Sequence, residues 1–305
     1  MTNTSSEEKH STLYRLLTHL MLFAASFFWG VNPMVMKLGL RELKPVPYNA
    51  MRLFFGVLIA LTFLLISRSW QPLKKQDLPR FLLVSLLGFF IFQFCYALGV
   101  AATSASVSAI ILGTLPINVA LITRIFRIEH LSRIKVVGIS ATFFGVVLIA
   151  LGKNSGLDLQ GTYLWGVALL VISEIAYGVY TVFVRPLTQR YSVYQIVMVV
   201  MSISLFLFAL YSLPVHGLEI YLSVSRLTLL STVFSGTFAL VIGNILWSTG
   251  IKRIGSTNTS VYANLPPVVG ICAGLFFLNE TLSLLQFTGA AVILLGVTLV
   301  NRRKS

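Results

Sequence analysis

"FFLNETLSLLQFTGAAVILLGVTLV", residues 276–300, repeats a pattern already present in "IFRIEHLSRIKVVGISATFFGVVLI", residues 125–149. The two stretches lie 151 residues apart, and eight of their 25 aligned positions are identical. The matching positions include Glu129 with Glu280, Gly138 with Gly289 and Gly145 with Gly296. A glutamate followed by two glycines seven residues apart therefore occurs once in each half of the chain, which indicates an internal duplication.

The composition is typical of a helical membrane protein. Hydrophobic residues make up 56% of the chain and charged residues only 10%, against roughly 25% charge in soluble domains. Apolar stretches of about 18 residues or more recur, and each can cross a bilayer as a helix, which satisfies its own backbone in lipid. We predict an all-α membrane protein with ten spans, at residues 16–39, 46–67, 78–99, 102–123, 131–151, 160–184, 191–212, 226–250, 256–278 and 283–300.

The duplication extends well upstream of the two quoted stretches. At the same spacing of 151, Gln93 matches Asn244, Tyr96 matches Trp247, Gly99 matches Gly250 and Pro116 matches Pro267. Nearer the N-terminus the spacing becomes 148, so that Trp29-Gly30-Val31 falls on Tyr177-Gly178-Val179 and Lys37 falls on Arg185. Spans 1–5 and 6–10 are thus predicted to be two copies of one five-helix unit. Because five is odd, the second copy enters the membrane from the opposite side.

The domain organisation follows from these copies. We predict a polar, loose N-terminus over residues 1–15, a first five-helix repeat over 16–151, a second over 160–300, and a basic tail over 301–305.

The distribution of positive charge predicts the orientation. The net charge is +14, and 17 of the 23 Lys and Arg residues lie on alternate connections, against five on the opposite ones. Such a bias marks the cytoplasmic side of a membrane protein. Both termini are therefore predicted to be cytoplasmic, in the cell inner membrane. The basic charge thus reports orientation, and a nucleic-acid partner is not expected.

Inverted repeats of this kind are typical of secondary transporters. Two similar halves can exchange conformations and so open a site at the membrane midplane to either side in turn. The alternative is that the duplication records ancestry alone, in a membrane protein that carries no solute.

The chain resembles the ten-helix, EamA type of the drug/metabolite transporter superfamily. The residues that carry the resemblance are "FFWGVNPMVMKLG" in span 1, "AYGVYTVFVRPL" in span 6, and the two E-x-L…G-x6-G-V endings. The resemblance implies export or exchange of small metabolites, often amino acids. It also implies a cavity between spans 1–4 and 6–9, with spans 5 and 10 peripheral. Glu174 departs from the pattern, because an apolar or small residue is expected at that point in span 6.

Spans 1 and 6 carry the first candidate substrate contacts. Trp29 and Asn32 share one helix face in span 1, and Tyr177 lies on the corresponding face of span 6 with Tyr180 at its margin. An aromatic body beside an amide suits a polar solute in a dry cavity. Trp29 and Tyr177 could instead be packing aromatics.

Spans 3, 4, 8 and 9 supply the remaining candidates. An amide followed by an aromatic occurs as Gln93-Tyr96 and as Asn244-Trp247. Unpaired amides in lipid are unfavourable, so these side chains should face the protein interior. Hydrogen bonding between helices without any ligand is the alternative. Two further amides follow hydroxyl-rich stretches and lie near prolines, namely Asn118 and Asn264.

Ionised residues within spans form the last group. Arg52 and Glu174 lie well inside spans 2 and 6, where such residues are functional candidates. We predict that they gate the cavity or couple flux to protons, and that they could pair with each other. A static ion pair is the competing interpretation. Glu129 and Glu280 each precede a span, so a structural role at the start of that helix is expected.

Other classes of function have weaker support in the sequence. There is no zinc motif, no G-x-S-x-G and no redox C-x-x-C, and "GKNSG" at 152–156 lacks the Walker spacing of an ATP-driven pump. We therefore expect no enzyme activity, no cofactor and no metal. The expected partners are a small-molecule substrate and the lipid bilayer, with the chain a monomer or a weak homodimer. A lipid flippase of related fold remains an alternative.

Overall fold

The protein is helical throughout the part of the chain that the computed structural model describes, which is residues 4–128, 132–152 and 161–301, with side chains from residue 14 to residue 300. No strand occurs within these ranges. This is the expected outcome for long apolar segments, since a helix pairs its own backbone groups and needs no partner in lipid.

The ten predicted spans are present in the described residues. In chain order they are Thr4–Gly39, Pro45–Ser67, Lys75–Ala102, Ala105–Ile125, Arg133–Leu151, Thr162–Thr188, Val193–His216, Arg226–Ile254, Ser256–Leu278 and Leu284–Asn301, which we number spans 1 to 10. Within the described residues nine are long and apolar enough to cross a membrane, and Leu284–Val300 is a shorter apolar helix. A four-residue helix, Glu219–Leu222, lies between spans 7 and 8.

The N-terminal segment differs from the prediction made for it. Residues 1–15 were predicted to be loose, but the first helix already begins at Thr4. The polar residues after Thr4 therefore extend span 1 beyond its apolar part, which starts at Tyr14.

Several spans are not continuous α-helices. Span 3 consists of a 3₁₀ turn at Lys75–Asp77, an α-helix at Leu78–Ser85, a π-helix at Leu86–Phe90 and an α-helix at Ile91–Ala102. Span 8 has the same succession of α-helix, π-helix and α-helix, at Arg226–Phe234, Ser235–Ile242 and Gly243–Ile254. Span 6 is divided into Thr162–Phe183 and Arg185–Thr188. The π-helices of spans 3 and 8 occupy corresponding positions of the two repeats.

Spans 4 and 9 are interrupted near their middles. Span 4 breaks between Ala105–Leu112 and Leu115–Ile125. Span 9 consists of Ser256–Ser260, a 3₁₀ turn at Val261–Asn264, and Leu265–Leu278. In both spans a proline is the second residue after the break, and proline lacks the backbone donor that would continue the helix. Broken helices at corresponding positions of two repeats are typical of a transporter binding site.

The packing of the spans has the symmetry of two inverted repeats. Span 1 packs on spans 8 and 9, and its counterpart, span 6, packs on spans 3 and 4. Span 2 packs on span 8 as span 7 packs on span 3. Spans 2 and 7, 4 and 9, and 5 and 10 each pack on their own counterparts. The molecule is therefore an all-α membrane protein made of two inverted five-helix repeats, as predicted.

Spans 5 and 10 meet through their paired glycines. A side-chain carbon added to Gly145 would lie 2.8 Å from the carbonyl oxygen of Gly289, and one added to Gly289 would lie 2.7 Å from that of Gly145. Gly138 and Gly296 contact each other in the same way. The repeated glycine spacing thus provides backbone-to-backbone packing between the two spans.

Glu280 caps a helix other than the one expected. Its carboxylate accepts hydrogen bonds from the backbone N–H of Ala105 (2.7 Å) and of Ser106 (2.9 Å), and from Ser106 Oγ (2.7 Å). It therefore stabilises the start of span 4 in the first repeat, and the prediction that it serves the start of span 10 is wrong. Glu129 lies outside the described residues.

A second carboxylate links the repeats at the same end of the molecule. Glu42 accepts hydrogen bonds from the Ser225 backbone N–H at 2.9 Å and from Ser225 Oγ at 2.7 Å. Ser225 caps the start of span 8. Because ten spans return the chain to the side on which it began, Glu42 and Glu280 both lie at the membrane end opposite the two termini.

Candidate functional site

A cavity of about 30 Å³ lies at the centre of the molecule, between spans of both repeats. Its lining comes from spans 1, 2, 3, 4, 6, 8 and 9, whereas spans 5 and 10 contribute nothing to it among the described residues. A space of this size holds about two water molecules. This conformation therefore has too little room at its centre for a solute of metabolite size, which can be accommodated only if the spans move.

Most of the predicted site residues line this cavity. They are Trp29, Asn32, Arg52, Gln93, Tyr96, Glu174, Tyr177 and Asn244. Amide and aromatic side chains of spans 1 and 3 therefore converge with Tyr177 of span 6 and Asn244 of span 8, so that both repeats contribute. Their roles in binding or coupling stay predictions.

The other predicted residues lie elsewhere. Trp247 is fully buried behind Trp29, with 4.8 Å between ring centroids. Tyr180 is buried behind Tyr177, stacked at 5.3 Å between ring centroids. Asn118 lines a separate pocket of about 20 Å³ between spans 4, 5 and 6.

Asn264 lies at the end of the 3₁₀ turn of span 9 and is half-buried. Its Oδ1 is buried without a hydrogen-bond partner in the described part of the chain. Neither Asn118 nor Asn264 lines the central cavity, although Leu115, almost one turn before Asn118, and Ala263, directly before Asn264, do so.

Apolar residues complete the lining and were not singled out from the sequence. They are Phe92, Leu112, Leu115, Ala239, Leu240, Ala263 and Pro266. Leu112 and Ala263 are equivalent at the repeat spacing of 151, and each lies four residues before a proline. That proline signal in spans 4 and 9 was visible in the sequence and could have identified both positions.

An aromatic cluster forms one wall of the cavity. The rings of Trp29 and Tyr177 meet edge to face, with 5.4 Å between centroids and an interplanar angle of 89°. Phe92 packs on Tyr177 at 4.6 Å between centroids. Since ring pairs in such geometries are favourable in themselves, this wall is built in advance of any ligand.

A polar network on the other side of the cavity joins the two repeats. Ser235 Oγ, at the start of the π-helix of span 8, donates to Asn32 Oδ1 at 2.6 Å. The same Ser235 oxygen accepts from Arg52 Nη1 at 2.9 Å. Asn32 Nδ2 contacts Met36 Sδ at 3.3 Å. Ser235 was not identified from the sequence, because a serine in an apolar helix carries little signal.

Gln93 and Asn244, which are equivalent in the repeats, have different partners. Gln93 Oε1 accepts a hydrogen bond from Arg52 Nη2. Asn244 Oδ1 accepts from the Tyr177 hydroxyl at 2.9 Å, and its Nδ2 donates to the Leu240 carbonyl at 2.7 Å. The two amides are therefore interior residues, as their cost in lipid requires.

Arg52 and Glu174 line the same cavity but do not pair. Each is only 1% exposed, and the ion pair that the described residues form is instead Arg190 with Asp77, at 2.6 Å. Within the described residues, Arg52 Nε and Glu174 Oε1 have no hydrogen-bond partner. Buried ionisable groups that line one cavity without pairing can interact with a charged solute, with protons, or with each other after a movement.

A metal site is not evident in the residues described. No group of three or more His, Cys, Asp or Glu side chains there could hold a metal ion. Cys95 and Cys272 are both free, the first buried and the second exposed.

Comparisons with known proteins agree with this architecture. The model of the EamA-like transporter family matches residues 16–151 and again residues 164–302. An uncharacterized transporter of Archaeoglobus fulgidus is 29% identical over 91% of this chain and 96% of its own length. A "probable amino-acid metabolite efflux pump" of Salmonella typhimurium is 25% identical over 88% of this chain and 89% of its own length.

A solved crystal structure shares the fold. It covers 93% of this chain and 96% of its own chain with a TM-score of 0.68, at 17% sequence identity. Since the family model matches nearly the whole length, once in each repeat, the chain belongs to the EamA-like transporter family, part of the drug/metabolite transporter superfamily.

Proposed function

We propose that this membrane transporter moves small polar or amphipathic metabolites by alternating access, as an exporter or exchanger of amino acids or related compounds. The observation that carries the proposal is the central cavity, which both repeats line with amide, aromatic and charged side chains. The name of the Salmonella relative supports amino acids as the solute class.

The small size of the central cavity supports a carrier mechanism rather than a channel. A cavity of about 30 Å³ is too small for an amino acid, so the solute requires a conformational change. Inverted repeats provide two equivalent arrangements for such a change. Neither a cofactor nor a catalytic step is part of this mechanism.

Glu174 is the residue proposed to couple flux to protons. It is buried, its Oε1 lacks a partner among the described residues, and it lines the cavity. The equivalent position in the first repeat is Ser26, so the fold does not require a carboxylate there. A change in hydration or in the distance to Arg52 during the cycle would alter its protonation.

The proposed setting is the cell inner membrane, with both termini cytoplasmic and the chain a monomer or a weak homodimer. The bias of Lys and Arg toward the connections on the terminal side supports this orientation.

Transport in liposomes tests the proposal. Protein is reconstituted, and uptake of a radiolabelled mixture of the twenty standard amino acids is measured with and without a pH gradient. We expect flux above that of protein-free liposomes and a dependence on the gradient. At saturating solute, Glu174→Gln should retain exchange and lose the dependence, while Glu219→Gln, which alters an exposed carboxylate at one membrane end, should leave both unchanged.

Two results would contradict the proposal in different ways. Flux equal to that of protein-free liposomes would contradict transport of amino acids. Flux that ignores the pH gradient in the unmodified protein would contradict proton coupling and leave transport standing.

A further inference from the structure

We infer that the central cavity has a polar axis and holds a small zwitterion in one orientation, with its carboxylate at Arg52 and its ammonium group at Glu174. This inference rests on the proposed transport function and specifies the charge pattern of the solute.

Arg52 has one guanidinium donor, Nε, that no acceptor among the described residues uses. Nη1 donates to Ser235 Oγ (2.9 Å) and to Met36 Sδ (3.0 Å), and Nη2 donates to Gln93 Oε1. Nε has no acceptor in the described part of the molecule. Nε and one Nη2 hydrogen lie along the same edge of the group, and this edge can hold a carboxylate through two parallel hydrogen bonds.

The guanidinium of Arg52 also has no counter-ion among the described residues. Its three hydrogen-bond partners are a thioether, a hydroxyl and an amide, all neutral. An uncompensated buried cation is unfavourable, and an anionic group that reaches it gains correspondingly. Gln93 Nε2 has no partner among the described residues either and lines the same cavity, so it can donate a further hydrogen bond to a bound carboxylate.

Glu174 supplies the opposite pole. Its Oε1 is buried and has no donor within the described residues, and the aromatic rings of Trp29 and Tyr177 line the cavity with it. A carboxylate beside aromatic rings favours a cation through both charge and ring electrostatics. A primary ammonium group satisfies this pole because it carries only donors.

The opposite charges of the two poles come from residues that differ between the repeats, so the repeated fold does not require them. At the spacing of 148, Arg52 corresponds to Val200 and Glu174 corresponds to Ser26. At the spacing of 151, Ser235 corresponds to Val84. A symmetric cavity would accept a dipolar solute in either direction, whereas these differences give the two poles opposite charge.

The rest of the lining indicates the body of the solute. Phe92, Leu112, Leu115, Leu240 and Pro266 offer apolar surface in the same cavity. A zwitterion with an apolar or aromatic side group therefore fits better than one with a third charge.

A matched ligand series tests the polar axis. Binding of L-phenylalanine, L-phenylalanine methyl ester and N-acetyl-L-phenylalanine to the purified protein is measured by isothermal titration. The ester lacks the anionic pole and the acetylated compound lacks the cationic pole. We expect the free amino acid to bind at least about tenfold more tightly than either derivative, because each lost pole removes charge-assisted hydrogen bonds.

Two variants assign each pole to its residue. Arg52→Gln should reduce the preference over the ester to about one and keep the preference over the acetylated compound, while Glu174→Gln should do the reverse. Arg52→Lys keeps the charge without the paired edge, so it should show an intermediate preference over the ester if Arg52→Gln does not fold. Arg226→Gln and Glu219→Gln, at exposed positions, are the matched controls.

The outcomes separate this inference from the proposed function. Equal loss of both preferences in either variant, or no change in them, would overturn the polar axis. A protein that transports the amino-acid mixture but binds none of the three compounds would also overturn it, while the transport proposal stands. Absence of flux with the mixture would instead contradict the transport proposal.

Discussion

At the scale of single residues, the site combines side chains that are already paired with side chains that are not. Asn32 and Asn244 each use both ends of their amide within the protein. Arg52 and Glu174 line the cavity, and each keeps one buried polar atom without a hydrogen-bond partner among the residues described. The paired amides therefore stabilise the shape of the cavity wall, whereas Arg52 and Glu174 remain able to interact with a solute in the cavity.

The pairing of Asn244 with Tyr177 predicts a coupled effect on stability. Asn244→Ala removes the acceptor of the buried Tyr177 hydroxyl, and an orphaned buried polar group lowers the free energy of unfolding by about 1–3 kcal/mol. Tyr177→Phe made in the Asn244→Ala background should add little further loss. Unfolding of both single variants and the double variant in denaturing detergent measures this coupling. Fully additive losses would show that the hydrogen bond is unimportant.

Glu42 predicts a loss of stability in acid. Hydrogen bonds from Thr228 and then from Ser225 lower the pKa of the Glu42 carboxyl below its usual 4.5. The stabilisation is therefore complete above the pKa of the unfolded chain and is lost as the pH falls through the lower pKa of the folded state. The melting temperature of the unmodified protein should fall below about pH 5 more steeply than that of Glu42→Gln. Identical slopes would contradict the account, and Glu219→Gln is the control.

Sequence reasoning located most of the cavity residues for a physical reason. Amides and charges are unfavourable in lipid, so Gln93, Asn244, Arg52 and Glu174 could be expected inside. The separate pocket that Asn118 lines could not be predicted, because the sequence does not show which face of span 4 meets spans 5 and 6. The partners of Arg52 could not be predicted, because they come from three different spans.

At the scale of helices, long apolar segments fix the number and approximate limits of the spans. Hydropathy along the sequence indicates how long an apolar segment is, but it does not report the hydrogen-bond pattern within the helix. The π-helices at Leu86–Phe90 and Ser235–Ile242 were therefore not predicted. Such segments are often found at functional sites, and here each directly precedes the helix that carries Gln93 or Asn244.

The glycine contact between spans 5 and 10 predicts a steric effect. In Gly145→Ala the new carbon would lie 2.8 Å from the Gly289 carbonyl oxygen and also 2.8 Å from Ile293. The spans must then separate, which should lower the free energy of unfolding by about 1–3 kcal/mol. Gly56→Ala is the matched control, because its nearest neighbour would be 3.5 Å away. A Gly145→Ala protein as stable as Gly56→Ala would contradict close packing.

At the scale of the whole molecule, the two repeats line one central cavity, and polar contacts join them at both membrane ends. Glu42 and Glu280 link the repeats at the end opposite the termini. At the other end Gln195 Nε2 donates to the Gln71 carbonyl at 2.5 Å, and Arg190 pairs with Asp77. Alternating access requires that contacts at one end break while those at the other end hold.

The inverted arrangement predicts opposite labelling of equivalent residues. Ala101 and Lys252 are 151 residues apart and both are exposed, near the ends of spans 3 and 8. In a background without Cys95 and Cys272, Ala101→Cys should react with a membrane-impermeant thiol reagent from one side of intact cells, and Lys252→Cys only after permeabilisation. Reaction of both from the same side would contradict the inverted repeats.

The central claim is that the two repeats open the cavity to one side at a time. Spin labels at residues 101 and 226 report one end of the molecule, and labels at the equivalent residues 252 and 75 report the other. Distances within each pair are measured by pulsed electron resonance in liposomes, with and without a saturating amount of the amino acid that gives the largest flux. The account predicts that one distance lengthens as the other shortens. Distances that stay fixed, or that lengthen together, would contradict it.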